Sequence, residues 1–417
     1  MSNAHSINRY PFRVVVTGMA GISPIGNDWA TMLTHLKTEK NAVQYITEWD
    51  DYSDLNTRLG APAAVFDLPA HYNRKVTRGM GRVALMSVLA SERALEDAGL
   101  LGDPWLKSGE VGVSYGSSSG SPNAICDFGQ IPVLKKVEGV NATTYIRMMS
   151  HTAPVNIGVY FGLTGRMFTT SSACTSGSQG IGYAYEAIAS GQQMAMLAGG
   201  GEELDITQAA VFDTLYATST KNDAPDTSPR PFDAKRDGLV LGEGACTLVL
   251  EEYEHAKARG AKIYAEIIGF GTNTDGQHVT QPNAATMETA LRLSLKQAQL
   301  DPVQIDYVNA HGTATEHGDL AESIATWQVF ERDVPISSLK SYMGHTLGAC
   351  GALEAMMSIQ MMHEGWFNPT VNLSEVDARL PALGFLQSSH TNHNAEYVMS
   401  NNFAFGGINT SLIFKRI

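Results

Sequence analysis

The chain has 417 residues, 43% of them hydrophobic and 17% charged, enough to bury the core of one large domain or two fused halves. Its formal net charge of −13 disfavours nucleic acid or an anionic membrane surface as a general partner. No apolar run is long enough to span a membrane, and residues 1–8 are polar without a signal-peptide core. We therefore expect a cytoplasmic protein without stable membrane insertion. None of its four cysteines has zinc-ligand spacing, so we expect no metal centre.

One pattern of strands and helices occurs twice along the chain. The first copy predicts strands over 13–19, 110–115, 167–173, 193–198 and 245–251, with helices over 78–99 and from about 177. The second copy predicts strands over 264–270, 305–310, 334–339, 396–402 and 409–414, with helices over 284–300 and from about 347. Alternating strands and helices predict an α/β fold with parallel βαβ units and a pseudo-twofold relation between halves 10–258 and 259–417.

Residues with reactive side chains follow the ends of predicted strands. Cys174 lies where an apolar strand breaks into small residues before a helix, whose free N–H groups would lower the pKa of the thiol. His311 and Lys340 follow the corresponding strands of the second half, and His345 comes five residues after Lys340. Since chemistry in such folds concentrates at the carboxyl ends of parallel strands, we expect these residues to meet. A thiolate with nearby hydrogen-bond donors is what acyl transfer requires.

The segments around these residues resemble the Cys-His-His signature of β-ketoacyl-acyl-carrier-protein synthases. The matching segments are Ser172-Ala173-Cys174-Thr175-Ser176-Gly177, Ala310-His311-Gly312-Thr313, Lys340-Ser341-Tyr342-Met343-Gly344-His345, Arg230-Pro231-Phe232-Asp233, Arg236-Asp237-Gly238, Gly242-Glu243-Gly244-Ala245 and Ser400-Asn401-Asn402-Phe403-Ala404-Phe405-Gly406-Gly407. The resemblance is to the elongating branch of the family, because the initiating branch has Asn where His345 stands. It implies the thiolase-like fold, with two repeated halves in five layers ordered α-β-α-β-α.

The resemblance also implies roles for the central residues. Cys174 would carry the acyl group, and His311 and His345 would donate hydrogen bonds from Nε2 to the enolate formed when a malonyl thioester loses CO2. The N–H groups of Cys174 and Phe405 would form the oxyanion hole. Lys340 and Glu354 match the family's ion pair. Neither histidine need act as the general base for Cys174.

Other matching positions concern the substrate. Thr313 and Thr315 match threonines that hydrogen-bond the phosphopantetheine arm of the carrier, although holding their own loop is an equally good interpretation. Ser119 and Phe212 match positions in the acyl pocket. Ala404, after Phe403, replaces the first glycine of the gating loop, which predicts a hinge that is stiffer or opens along a different path. A serine at 119 favours a longer, stiffer or more polar chain, as in aryl-polyene-type pathways. The reaction implies no cofactor beyond the arm delivered with the carrier.

An acidic acyl carrier protein needs a basic docking surface. Arg74, Lys75, Arg78 and Arg82 lie where the family docks its carrier, and Lys135–Lys136 forms a second basic pair. A solvated helix face explains such a run equally well. The family pairs its subunits through the strand before the nucleophile, here 166–172. A homodimer is therefore expected, and a heterodimer with a chain-length-type subunit is the alternative.

Two other activities fit parts of the sequence. Gly116-Ser117-Ser118-Ser119-Gly120 follows a strand and matches the nucleophile elbow of serine hydrolases, with Ser118 as the nucleophile. A non-catalytic chain-length-type partner would share the fold, but such subunits usually lose the active-site cysteine. A degradative thiolase uses a different Cys/His/Cys layout, so Cys126, Cys246 and Cys350 are interpreted as small core residues.

Overall fold

The computed structural model describes residues 10–417, and the predictions for residues 1–8 lie outside this range. The strands are β1 Val14–Ile22, β2 Gln44–Tyr45, β3 Leu59–Ala61, β4 Val111–Gly116, β5 Met167–Thr169, β6 Ala195–Glu202, β7 Leu241–Gly242, β8 Gly244–Glu252, β9 Ala265–Thr274, β10 Tyr307–Asn309, β11 Pro335–Ser337, β12 Trp366–Phe367, β13 Gly384–Phe385, β14 His390–Thr391, β15 Tyr397–Ala404 and β16 Ile408–Lys415. The helices are α1 Trp29–Lys37, α2 Arg74–Thr77, α3 Arg82–Asp97, α4 Pro122–Leu134, α5 Ala142–Met148, α6 Thr152–Phe161, α7 Ser176–Ala189, α8 Ile206–Asp213, α9 Tyr253–Ala258, α10 Ala284–Ala298, α11 Glu316–Phe330, α12 Lys340–Met343 and α13 Cys350–Glu364.

Eleven strands form one mixed sheet in the order β13-β11-β10-β15-β16-β9-β1-β8-β6-β4-β5. The strands predicted as repeats occupy mirrored places: β1 and β9 at the centre, then β8 and β16, β6 and β15, β4 and β10, β5 and β11. This symmetry confirms the predicted internal repeat. The division of the chain at residue 258 stays a prediction.

The expectation of parallel pairing is wrong for the centre of the sheet. The five central pairings, from β15–β16 to β8–β6, are antiparallel, whereas the pairings outside them are parallel. The physical reason is visible at β15 and β16: only residues 405–407 join them, and such a short connection permits only antiparallel pairing.

The five layers predicted from the resemblance are present. Helices α7 and α13 form the buried middle layer, with α7 against β4 and β6 and α13 against β15. Helix α3 covers the outer face of the first half-sheet, and α10 covers that of the second. The two middle helices approach closely at glycines: a Cβ on Gly177 would lie 2.9 Å from the Ala352 nitrogen, and one on Gly351 would lie 2.7 Å from the Ser178 nitrogen. This contact brings the N-termini of both helices together.

Strand β5 is shorter than predicted and lies at the edge of the sheet. Thr170 still donates its N–H to the Tyr115 carbonyl of β4 at 3.2 Å, while its Oγ1 donates to the Ser176 carbonyl at 2.8 Å and ties the following loop to α7. Residues 170–175 therefore form a loop that delivers Cys174 to the start of α7. Within residues 10–417, no helix is long and apolar enough to cross a bilayer, and the cytoplasmic location stays a prediction.

Candidate active site

Cys174 is the second residue of a three-residue 3-10 turn, Ala173–Thr175, directly before α7. The turn begins with Ala173 at φ +49°, a left-handed conformation that an alanine rarely adopts. Cys174 is 4% exposed and lines a cavity of about 480 Å³. The turn therefore presents one thiol to a cavity large enough for a substrate arm.

His345 lies against the thiol as a hydrogen-bond donor. Its Nε2 is 3.0 Å from Cys174 Sγ, and its Nδ1 accepts the N–H of Leu347 at 3.2 Å. Since Nδ1 is an acceptor, the neutral ring carries its proton on Nε2. Burial, reinforced by the charge of Lys340, lowers the pKa of His345 well below its usual value. The imidazole is thus neutral and presents Nε2–H to the site.

His311 stands perpendicular to His345, with ring centroids 5.1 Å apart and an interplanar angle of 87°. Its loop is held by Glu322, whose two carboxylate oxygens accept the N–H groups of His311 and Gly312, each at 2.7 Å. Burial first, then the charge of Lys340, lowers the pKa of His311 well below its usual value. The site therefore holds two neutral imidazoles at right angles.

A buried ion pair lies behind these rings. Lys340 Nζ is 2.5 Å from Glu354 Oε1, and both side chains are at most 1% exposed. Burial opposes the charge of Lys340, but the Glu354 carboxylate outweighs it and raises the pKa of the lysine. Glu354 Oε2 also accepts from Asn402 at 2.7 Å and Asn309 at 3.5 Å. The ammonium thus stays charged, and it adds to the burial that keeps both imidazoles neutral.

The prediction of a lowered pKa for Cys174 is wrong. Burial raises the pKa of the thiol to about 11, although the N–H groups of Phe405 and Cys174 and the charge of Lys340 act in the opposite direction. Removal of the thiolate from water outweighs the helix N-terminus. The resting nucleophile is therefore a thiol, while two main-chain N–H groups converge on its sulfur as in an oxyanion hole.

Cys174, His311 and His345 have the composition of a zinc site, with ligand atoms within 4.8 Å of one another. The hydrogen bond from Leu347 opposes this use, because a metal on Nε2 would require the proton of His345 on Nδ1. The arrangement therefore fits hydrogen-bond donation better than metal ligation.

The cavity brings most predicted substrate residues together. Besides Cys174, His311 and His345, it is lined by Phe212, Thr313, Thr315, Phe403, Ala404 and Phe405. The hydroxyls of Thr313 and Thr315 lie 2.9 Å apart. Phe212 and Phe405 meet edge to face, with centroids 5.7 Å apart, beside the thiol.

Two predictions about the pocket need correction. Ser119 does not line this cavity: it lies in the loop after β4, and its Oγ is buried without a hydrogen-bond partner. Ala404 does not stiffen a left-handed hinge, because it ends β15 paired with Ile408. The left-handed residues of this loop are Gly406 at φ +94° and Gly407 at φ +75°, so the hinge keeps its glycines.

The four basic residues of the predicted carrier-docking surface differ in whether their charges are free to bind a partner. Arg74, Lys75 and Arg78 are exposed on and just after α2. The guanidinium of Arg82 binds the Glu243 carboxylate through two hydrogen bonds of 2.6 and 2.7 Å, so its charge is partly neutralised. The docking role of all four stays a prediction.

The interpretation of the other cysteines holds for Cys246 and Cys350, which are buried, and is wrong for Cys126, which is exposed on α4. Ser118 donates its N–H to Glu202 at 2.9 Å, and within residues 10–417 it has no recorded histidine partner. The hydrolase alternative therefore lacks the base that such a nucleophile needs.

Sequence reasoning missed the buried carboxylates that support the site. Glu322, beneath the His311 loop, is 2% exposed, and burial raises its pKa to about 8. Glu202 is fully buried, and burial raises its pKa to about 7. For Glu202, an acidic residue at the end of an otherwise apolar strand was the available signal, whereas Glu322 shares its helix with Glu316 and Asp319 and gives no such signal.

Known proteins are similar to this chain in sequence and in fold. Residues 12–256 match the family "Beta-ketoacyl synthase, N-terminal domain", and residues 264–374 match "Beta-ketoacyl synthase, C-terminal domain". The 3-oxoacyl-[acyl-carrier-protein] synthase 1 of Haemophilus influenzae is 37% identical over 97% of this chain and 99% of its own length.

Solved structures agree with these matches. A beta-ketoacyl synthase from Burkholderia phymatum superposes with a TM-score of 0.96 at 57% identity, covering 97% of this chain and all of that one. A ketosynthase structure described as a type II polyketide synthase acyl-carrier protein in complex with its ketosynthase bound to the hexaketide gives a TM-score of 0.86 at 26% identity, covering 98% of this chain and all of that one. The chain therefore belongs to the beta-ketoacyl synthase family.

Proposed function

We propose that this acyltransferase condenses an acyl group held on Cys174 with a malonyl group delivered by an acyl carrier protein, lengthening the chain by two carbons. The 3-oxoacyl-[acyl-carrier-protein] synthase relatives support this reaction. The observation that carries it is the meeting of one thiol, two main-chain N–H groups and two neutral imidazole donors at one cavity.

The first step is transfer of the acyl group to Cys174. The sulfur attacks the thioester carbonyl, a new S–C bond forms, and the bond to the carrier's pantetheine sulfur breaks. The proton of the Cys174 thiol leaves with the departing thiolate. The N–H groups of Cys174 and Phe405, which lie next to the reacting sulfur, would stabilise the tetrahedral oxyanion.

The second step forms the carbon–carbon bond. The malonyl group loses CO2, and the electron pair of the broken bond becomes an enolate. Nε2–H of His345 and of His311 stabilises the enolate oxygen, and the neutral rings lose no proton in doing so. The enolate carbon then attacks the acyl carbonyl and expels Cys174 sulfur, which regains a proton. Decarboxylation supplies the electron pair, so the proposed reaction needs no redox cofactor.

The carrier is the proposed partner. Carrier and ketosynthase form a complex in a related structure. The exposed Arg74, Lys75 and Arg78 offer a positive surface to an acidic carrier on a chain whose net charge is −13. Thr313 and Thr315 line the cavity that leads to Cys174 and would hydrogen-bond the pantetheine arm.

A homodimer through the edge strand β5 is the proposed assembly. Apolar side chains are exposed near this edge: Met167 is 44% exposed on β5, and Val159 on α6 is 78% exposed. An unpaired strand edge flanked by exposed apolar side chains favours pairing with a second chain. Sedimentation of the purified chain tests this: a dimer is expected, whereas a monomer that dimerises only with a chain-length-type subunit would favour the heterodimer.

We further propose an acyl chain that is stiffer or more polar than saturated fatty acyl groups, as in aryl-polyene-type pathways. The support for this choice is the resemblance alone: position 119, where fatty-acid enzymes often carry a bulky aliphatic residue, holds a serine, in the loop after β4 and outside the cavity around Cys174. Turnover of saturated and polyunsaturated acyl carriers of equal length tests it, and a clear preference for the saturated chain would exclude it.

The condensation itself is tested by trapping. A His345→Ala variant, expressed in the native host and digested, should carry an acyl group on the Cys174 peptide detectable by mass spectrometry, because loading does not need the enolate donor. A matched His393→Ala variant, at an exposed histidine that does not line the cavity, is the control. An acyl group trapped on Ser118, or on any residue other than Cys174, would refute the assignment.

A further inference from the structure

The turn that presents Cys174 is repeated in the second half of the chain. The 3-10 turn Leu347–Ala349 precedes α13, as Ala173–Thr175 precedes α7. Both turns begin with a left-handed residue other than glycine: Ala173 at φ +49° and Leu347 at φ +45°. Gly348 is therefore the counterpart of Cys174, and its N–H is the counterpart of an oxyanion-hole donor.

A carboxylate of the protein itself occupies this second hole. Glu202 Oε2 accepts the N–H of Gly348 at 3.0 Å and the N–H of Ser118 at 2.9 Å, while Oε1 accepts Nε2 of Gln208 at 3.2 Å. A Cβ at position 348 would lie 2.8 Å from Glu202 Oε2. The absence of a side chain at Gly348 thus leaves room for the Glu202 carboxyl group, whereas the equivalent position of the first half carries the nucleophile, Cys174.

The Glu202 contact adjoins the hydrogen bond that orients His345. Leu347, next to Gly348, donates its N–H to His345 Nδ1 and so directs Nε2–H at Cys174. Leu347 can do so only while its backbone stays left-handed, a conformation that persists when surrounding contacts enforce it. The bond from Gly348 to Glu202 is such a contact, one residue along the chain.

We propose that Glu202 is a positioning residue for the condensation: its carboxylate holds the Leu347–Ala349 turn, and the turn holds His345 with Nε2–H toward Cys174. This inference rests on the proposed function, since its effect is exerted on the enolate step. Glu202 touches no reacting atom and acts through His345.

The test compares two substitutions of Glu202 with a matched control. Glu202→Ala should lower kcat for CO2 release from a malonyl carrier on the order of tenfold to a hundredfold, the usual effect of losing hydrogen bonds to a charged group. KM should change little. Glu202→Gln should restore most of the rate, because an amide oxygen still accepts both N–H groups. The control is Glu203→Gln: Glu203 is 5% exposed and binds Ser121 Oγ and the Val83 N–H, away from the turn, so the rate should hold.

A double-mutant cycle distinguishes positioning from a general structural role. Adding Glu202→Ala to His345→Ala should cost almost nothing further, because the residue through which Glu202 acts is gone. An equal loss in both backgrounds, or an unchanged rate in Glu202→Ala alone, would overturn the proposal. If Glu202→Ala does not fold, Glu202→Asp, which withdraws the carboxylate from Gly348, enters the same cycle. Normal acyl loading of Cys174 in these variants separates failure of this inference from failure of the proposed function.

Discussion

The turns before α7 and α13 have the same backbone conformation but present different groups. Each starts with a left-handed residue, continues as a 3-10 turn and enters a buried helix. The first presents Cys174 to a cavity, whereas the second presents Gly348 to the Glu202 carboxylate. The N–H groups that would stabilise a transient oxyanion in one half are matched in the other by an N–H group that binds the carboxyl group of Glu202.

This difference divides the work between the halves. The first half supplies the nucleophile, while the second supplies both imidazoles, which burial and the charge of Lys340 keep neutral, and the Lys340–Glu354 pair behind them. The two halves thus share a backbone arrangement but differ in the functional side chains that they contribute. The following substitutions test that division, from the largest expected effect to the smallest.

Replacing the nucleophile should remove the reaction. Cys174→Ser should lower condensation on the order of 10⁴-fold or more, the scale of losing a catalytic nucleophile. The physical reason is that a buried hydroxyl is far less nucleophilic than a thiol. Product formation from acyl and malonyl carriers measures it, with Cys246→Ser, in the core, as the control. Retention of a tenth of the activity would mean that another residue carries the acyl group.

Breaking the ion pair should destabilise the second half. Lys340→Met or Glu354→Leu should each lower the free energy of unfolding by about 3 to 5 kcal/mol, because each leaves one buried charge without its partner. The double variant Lys340→Met/Glu354→Leu should lose less than either single variant. Chemical unfolding of the four proteins measures this, and strictly additive losses would show that the pair is not coupled.

Removing one enolate donor should slow decarboxylation while sparing acyl loading. His311→Ala and His345→Ala should each lower CO2 release on the order of 10²- to 10³-fold, the usual cost of one oxyanion donor. Acyl loading of Cys174 should stay close to wild type, since main-chain N–H groups serve that step. If loading fell as much as decarboxylation, one of the imidazoles would be acting on the thiol instead.

The pH dependence of Cys174 reactivity tests the first turn alone. Burial raises the pKa of this thiol to about 11, so its folded-state thiolate fraction is small at neutral pH and grows as the pH rises. Alkylation by iodoacetamide should therefore increase about tenfold per pH unit between pH 7 and 9, with no plateau near the ordinary thiol value. A Cys126→Ser background removes the exposed thiol from the measurement. A plateau below pH 8 would show that the helix N-terminus outweighs burial.

The sequence predicts the repeat well because hydrophobic periodicity and strand-ending glycines are local signals. It predicts Cys174, His311 and Lys340 as a group because each follows a predicted strand, and His345 joins them because it lies five residues after Lys340. It fails for the antiparallel centre of the sheet, since strand direction depends on connections rather than on the strands themselves.

Burial explains the other features that the sequence did not predict correctly. The pKa of Cys174 is set by desolvation, which arises only when α7, α13 and the Phe405 loop close around it. Glu202 and Glu322 hold main-chain N–H groups, which have no side-chain signature in a sequence. The position of Glu202 at the end of an apolar strand marks it as unusual but does not identify its partners.

A structure of the protein with a stable acyl analogue on Cys174 tests most directly whether the two kinds of donor divide the work. The account predicts that the acyl carbonyl oxygen lies 2.7–3.1 Å from the main-chain nitrogens of both Cys174 and Phe405, the donor distance of an oxyanion hole. Nε2 of His345 and of His311 would then remain free to face the malonyl group. An acyl oxygen bonded to either imidazole, with the two main-chain N–H groups unoccupied, would contradict it.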